Sequence, residues 1–320
     1  MRLGKRDTGA AMLSLLAGAA SAVAQDYPTR AVRIVVPTGA GGITDIIARI
    51  VAARLTERLG QPVVVENRPG ASGIIGTEAV ARAQPDGHTL LMVYPSHPVN
   101  PSLLAQLPYD TQRDFAPITT ITTVSLVILV PPTLAARSVA ELIALARRER
   151  LTYATVGSGS LGHLGAELFR SMAGIELTQV SYRSAPAAQT ALIRGEVAMF
   201  FDPPITAVPH VRDGRLSALG VSTRERSALL PDVPAIAEFL PGYEVLGWNG
   251  ILAPAATPAA IVQRLNREIR AVLAEPEVLR QLAQQGADPA PTDPDSFARR
   301  IREDIAKWAT VIRDAGIRPE

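Results

Sequence analysis

Two glycine-rich runs hold the residues best suited to chemistry. One reads Val35-Val36-Pro37-Thr38-Gly39-Ala40-Gly41-Gly42-Ile43-Thr44-Asp45 and the other Ala154-Thr155-Val156-Gly157-Ser158-Gly159-Ser160-Leu161-Gly162-His163. Each joins a β-branched or apolar run to a helical pattern. Glycine admits φ > 0 and lets a ligand approach the backbone closely. A helix N-terminus adds N–H groups that have no partner within the helix. Thr38, Gly39, Ala40, Gly41, Gly42 and Thr44 are therefore candidates to hold a carboxylate or phosphate, as are Gly157, Ser158, Gly159, Ser160 and His163. The alternative is a pair of tight βα turns that need glycine for geometry alone. Asp45 would oppose an anion, so its carboxylate is expected to face the backbone, where it and Thr44 can cap free N–H groups.

Catalytic readings are poorly supplied. The first run lacks the Gly-Lys-Ser/Thr of a P-loop. The second contains Gly157-x-Gly159-x-x-Gly162, the dinucleotide spacing, but the next strand ends at Tyr182-Arg183-Ser184 without the acidic residue that a ribose requires. Arg183 could meet a 2′-phosphate, which keeps an NADP-dependent enzyme as an alternative. Neither Ser158 nor Ser160 sits in Gly-x-Ser-x-Gly, so a hydrolase using His163 is a weaker one. There are no cysteines, and His88, His97, His163 and His210 form no metal-binding spacing. The expectation is a binding protein, not an enzyme, with no metal and no cofactor. Two further candidates leave strand ends. Ser96, in Tyr94-Pro95-Ser96-His97, could donate into the same cleft or belong to an ordinary loop. Asp202, in Phe201-Asp202-Pro203, could accept from a ligand hydroxyl, an amine or water, or cap the next helix.

The elements that must position these residues are legible from periodicity. Strands are expected at residues 32–36, 63–66 and 89–94, with helices ending at Gly60 and covering 74–83. A long β-rich stretch runs from 115 to 130. Ser138 caps a helix, and strands at 153–156, 177–182, 197–201 and 216–221 alternate with helices. Another β-like stretch covers 245–252, and the remainder is helical. The first of these late helices is expected to start at Thr257 as cap, and all are expected to pack on the first unit. This is an α/β chain of two lobes joined by two crossing strands, with lobe one at 25–124 and 246–320 and lobe two at 125–245. Both glycine runs fall at strand carboxyl ends, where ligands bind in such sheets.

The chain has 320 residues, of which 47% are hydrophobic and 19% charged. Arg2, Lys5 and Arg6 precede an apolar stretch and Ala22-Val23-Ala24, the pattern of a cleavable signal peptide over residues 1–24 and hence of a periplasmic protein. Cleavage leaves 29 basic and 29 acidic side chains (32 less 3 and 30 less 1). That balance offers no case for nucleic-acid or membrane-surface binding.

An ordered set of motifs spans the mature chain. It includes Tyr27-Pro28-x-Arg30, Glu66-Asn67-Arg68-Pro69-Gly70-Ala71, Pro85-Asp86-Gly87, Asn100-Pro101-Ser102-Leu103, Leu107-Pro108-Tyr109-Asp110, Leu230-Pro231-Asp232-Val233-Pro234 and Pro241-Gly242-Tyr243-Glu244, together with both glycine runs. The chain thereby resembles the substrate-binding proteins of tripartite tricarboxylate transporters, the Bug family. The resemblance implies a type II periplasmic-binding-protein fold that takes a small organic carboxylate and delivers it to transporter membrane subunits, as a monomer. A ligand-presenting component of a sensory system is the alternative role. It also implies that 38–44 and 157–163 hold one carboxylate, with Ser96 and Asp202 next. Two positions depart from the family: Thr38 stands where an aromatic residue is usual, and Pro203 where asparagine is frequent.

Overall fold

Apolar β-branched runs flanked by turn residues become strands buried on both faces, as parallel sheets covered by helices require. A computed structural model describes residues 27–317 except 105, 158, 228 and 229. The signal peptide expected at 1–24 and the candidate Ser158 lie outside the described residues. The strands are β1 (Val32–Val36), β2 (Val63–Asn67), β3 (Thr89–Val93), β4 (Phe115–Val124), β5 (Val127–Val130), β6 (Leu151–Thr155), β7 (Leu177–Ser181), β8 (Met199–Asp202), β9 (Ser217–Val221), β10 (Gly247–Pro254) and β11 (Asp288–Pro289). The helices are α1 (Ile43–Leu59), α2 (Ile74–Ala81), α3 (Ser96–Leu103), α4 (Val139–Ala146), α5 (Leu161–Ala173), α6 (Ala185–Ile193), α7 (Pro204–Arg212), α8 (Ala259–Val272), α9 (Pro276–Gln284) and α10 (Pro294–Asp314).

Two sheets form, in the orders β11-β4-β10-β3-β1-β2 and β7-β6-β8-β5-β9. In the first, β1 pairs in parallel with β2 and β3, and in the second β6 pairs in parallel with β7 and β8. The stretch 115–130, read as one β-rich crossing, is two strands. β4 pairs with β10 in the first sheet, and β5 pairs with β8 and β9 in the second. Ser125 and Leu126 make the passage. Ser222 braces it: the buried Ser222 Oγ accepts from the Leu126 amide at 2.7 Å and donates to the Val245 carbonyl at 2.6 Å.

The late helices do not all pack on the first unit. Ile261, Leu265 and Ile269 of α8 share a core with Ile47, Val51 and Leu55 of α1. The long α10 instead serves both sheets. Its Phe297 and Ile301 pack with Val35 and Leu91, whereas Trp308, Val311 and Ile312 pack with Ile128, Tyr153 and Phe201. A 21-residue helix spans about 30 Å at 1.5 Å per residue, enough to reach both cores. Thr257 is not the α8 cap. Pro258 occupies that position, and the buried Thr257 Oγ1 has no partner among the described residues. The segment leaving β3, for which an ordinary loop was one expectation at Ser96, is helical over Ser96–Leu103 despite Pro98 and Pro101. Pro98 falls in the first turn, where its missing N–H matters least.

Candidate functional site

The first glycine run closes on itself through Asp45. Gly41 adopts φ +81°, and its N–H donates to Asp45 Oδ2 at 2.9 Å. Arg49 Nε donates to the same oxygen at 3.0 Å, and Asn67 Nδ2 donates to Asp45 Oδ1 at 2.9 Å. Asn67 Nδ2 also reaches the Thr38 carbonyl at 3.2 Å, tying the end of β2 to the loop. Asp45 is 2% exposed. Burial pushes its carboxyl up, but the hydrogen bonds from Arg49, Gly41 and Asn67 outweigh burial and hold it below the usual carboxylate range. Asp45 thus faces the backbone, with its charge met by Arg49. It is not an N-cap: Gly42 holds that position without a side-chain bond, and Thr44 lies buried in the first turn. The amides of Gly39, Ala40 and Gly42, all on exposed residues, have no hydrogen-bond partner among the described residues. Thr38 Oγ1 is enclosed and likewise has no partner there.

The second run is built the same way around a neutral group. Gly159 adopts φ +75°, and its N–H donates to His163 Nδ1 at 3.0 Å. Gly157, at φ +133°, donates its N–H to Thr155 Oγ1 at 3.0 Å. Ser160 is the N-cap of α5, and its Oγ accepts from the His163 amide at 3.3 Å. An acceptor role for Nδ1 places the His163 proton on Nε2 and keeps the ring uncharged. His163 is 3% exposed; burial lowers its pKa, with the Glu167 charge opposing. The amides of Gly41, Gly157 and Gly159 are therefore not the bare donors that the glycine pattern implied. Among the described residues of the second run, the amides without a partner are those of Leu161 and Gly162, in the first turn of α5, whose N–H groups have no partner within the helix.

The carboxyl-terminal ends of the two sheets meet here. A Cβ built on Gly159 would stand 2.8 Å from Leu103 Cδ1 of α3. One built on Gly247 would stand 2.8 Å from Leu161 Cδ2 and 3.2 Å from Pro95 Cγ. The loop that follows β6 thus abuts the segment that follows β3, and Ser96 begins the helix at that junction. Tyr94 also touches the β2–α2 loop. Its hydroxyl donates to the Ser72 carbonyl at 3.1 Å, and Asn100 Nδ2 donates to the same oxygen at 3.2 Å. Ala71 and Ser72 hold φ +47° and +52°, a conformation that side chains disfavour. Asn67 and Arg49 support the first run although neither is among the candidates that the sequence offers. The Asp45-to-Arg49 spacing of four was the available signal.

Asp202 ends β8 and is fully buried. Its Oδ2 accepts from Gln189 Nε2 and from Thr206 Oγ1, each at 2.7 Å, which ties it to the first turn of α7. Oδ1 has no partner among the described residues, and burial raises the carboxyl pKa against those two bonds.

Two α/β sheets joined by crossing segments, with strand-end loops turned toward each other, define a two-lobe periplasmic solute-binding protein fold. The chain belongs to the tripartite tricarboxylate transporter receptor family: the family profile TctC, described as "Tripartite tricarboxylate transporter family receptor", matches residues 47–317. It is 37% identical to the protein BugT of Bordetella pertussis over 306 residues, 94% of either chain. Among solved structures it is similar to R. palustris Rpa4515 with adipate, at 37% identity and a TM-score of 0.75, covering 92% of this chain and 100% of that one. It is also similar to MatC from Rhodopseudomonas palustris with bound malate, at 32% identity and a TM-score of 0.69, covering 89% and 100%. The two-lobe α/β architecture expected from the sequence is the one found, and family and fold are those of solute-binding proteins.

Proposed function

We propose that this protein captures a small organic carboxylate between its two glycine loops in the periplasm and delivers it to the membrane subunits of a tripartite transporter. The observation that carries the reading is the set of amides with no partner among the described residues, on Gly39, Ala40 and Gly42 in one loop and on Leu161 and Gly162 in the other. Gly42 is the N-cap of α1, with Gly39 and Ala40 in the loop that leads into it, and Leu161 and Gly162 open α5; negative charge at each helix N-terminus is favoured by about 0.3–1 kcal/mol. Charge-assisted N–H···O bonds add about 1.5–3 kcal/mol apiece. Adipate in Rpa4515 and malate in MatC supply the ligand class by similarity.

In this reading residues 1–24 direct export and are removed. Residues 25–124 with 246–320 form one lobe and 125–245 the other, and the protein works as a monomer. A thermal-shift screen of the mature chain against mono-, di- and tricarboxylates, with sugars and inorganic phosphate as controls, tests it. Stabilisation should follow RT ln(1 + [L]/Kd) for at least one carboxylate. Shifts with the controls alone would defeat the reading.

A further inference from the structure

Gly286 turns the chain between α9 and β11, and β11 is the edge strand beside β4 in the first sheet. Ile205 is the second residue of α7, which follows β8 and packs on β5 and β9 of the second sheet. These two residues touch. A Cβ built on Gly286, which sits at φ +65°, would stand 2.6 Å from Ile205 Cβ and 2.9 Å from its Cγ2. No carbon approaches another that closely without displacement.

The contact differs in kind from the other tight meetings of the two sheets, at Gly159 and Gly247, where the nearest obstruction is the end of a leucine side chain. At Gly159 the obstruction is Leu103 Cδ1, the end of a side chain that a rotamer change moves away. At Gly286 it is a Cβ fixed to the α7 backbone, so the space is regained by moving backbone, α7 with its lobe or the turn at Gly286, and not by a rotamer change. The contact also lies near the crossing segments. β11 pairs at Thr122 and Thr123, and Asp202 pairs with Val127. β2 and β7, at the far edges of their sheets, are the strands most remote from that passage. A small separation beside the hinge therefore becomes a large one at β2 and β7.

We propose that Gly286 and Ile205 form the seat that fixes how far the two lobes close, and that residue 286 must lack a side chain for full closure. The proposal deepens the capture reading, on which its purpose rests. Its test uses no carboxylate, so the two can fail separately.

The chain has no cysteine, so a unique pair can be introduced. Spin labels at Ile75→Cys and Arg183→Cys, on exposed residues at the start of α2 in one lobe and just past β7 in the other, report the separation of the lobes by double electron–electron resonance. The labelled protein should populate the short distance that the structure defines. Gly286→Ala should deplete that population about tenfold or more, equivalent to ~1.4 kcal/mol or more. Adding Ile205→Gly should restore it, because the same alanine then meets no Cβ. The strain of alanine at positive φ is common to the single and double variants, so restoration isolates the contact. Three results would each overturn the seat: no short population before the Gly286 change, no depletion in Gly286→Ala, or no recovery in the double variant. Circular dichroism melts establish that each variant is folded.

Discussion

The Gly159 amide nitrogen lies 3.0 Å from His163 Nδ1, and this bond matches the one from the Gly41 amide to Asp45, 2.9 Å long, in the other loop. In both cases a positive-φ glycine donates to the side chain four residues on, inside the first turn of the following helix. Each loop is thereby braced by a side chain of the helix that follows it. One brace is a carboxylate neutralised by Arg49 and the other a neutral imidazole, so they respond differently to pH.

His163 should make the second loop acid-sensitive. The unfolded chain takes up a proton there near 6.5, whereas burial lowers the folded value. The unfolded state therefore binds more protons in that window, and stability falls as pH drops from 6.5 toward the folded pKa. A protonated ring also presents N–H at Nδ1 and can no longer accept from Gly159. His163→Asn, which offers an uncharged amide oxygen near the Nδ1 position, should reduce the loss of stability and of carboxylate affinity between pH 7 and pH 5. Urea midpoints and titrations of both proteins at the two pH values check this. An unchanged pH dependence in the variant would remove His163 from the account.

Asp45→Ala should damage the first loop by a different route. The change strands the Gly41 and Asn67 donors and releases Arg49, which is half-exposed and regains water. The expected loss is about 1–3 kcal/mol, the worth of part-buried hydrogen bonds to a charged acceptor. The native carboxyl titrates below its unfolded value of 3.8, so its contribution is full above that pH and vanishes as pH falls through the folded pKa. The gap between wild type and variant should thus narrow below pH 4 in chemical denaturation. A gap that stayed constant into acid would mean that Asp45 contributes only shape.

The fold was legible where the pattern is local. Val32 to Val36 and the spacing of Ile47, Val51 and Leu55 define a strand and a helix within one window, and the structure places both. Long-range partners were not legible. Nothing near Trp308 says that it will sit with Tyr153 and Phe201 while Phe297, eleven residues earlier, sits with Val35. In the loops, glycine spacing located the turns but not which amides remain free. That depends on Asp45 and His163 turning back, and an acidic residue and a histidine at the same helical position give no common sequence signal. The helix at Ser96 was hidden by Pro98 and Pro101, whose helix-breaking tendency is suspended in a first turn or offset by packing of Val99 and Leu103 on the shared core.

Asp202→Asn should stabilise the protein at neutral pH. The folded carboxyl titrates above its unfolded value of 3.8 because burial disfavours the charge. The native state then holds the extra proton, so stability declines as pH rises through that window and stays reduced above it. Asparagine keeps an oxygen for Gln189 and Thr206 and replaces the partnerless Oδ1 by a neutral group. The variant should melt above wild type at pH 7 and lose that advantage near pH 3. A lower melting temperature at pH 7 would show that Oδ1 has a donor in solution, which is the behaviour expected of a ligand- or water-holding acceptor.

Ser222→Ala should separate hinge from site. The hydroxyl bonds both passages between the sheets, accepting from Leu126 and donating to Val245. The backbone around it is already paired: Ser222 N donates to the Leu126 carbonyl at 2.8 Å, and Val245 N donates to the Ser222 carbonyl at 2.9 Å. Alanine therefore keeps the strand-like contact and removes only the brace, leaving the Leu126 N–H buried without an acceptor. The cost should be about 1–3 kcal/mol, read as a fall of roughly 2–4 °C in Tm per kcal/mol for a chain of this size. Neither glycine loop contains Ser222, so the partnerless amides stay in place and any loss of carboxylate affinity must come through the relation of one lobe to the other. The Ile75–Arg183 label pair distinguishes the cases. A broadened distance distribution with unchanged loops would assign the affinity loss to the hinge, and a wild-type distribution would confine the hydroxyl to stability alone.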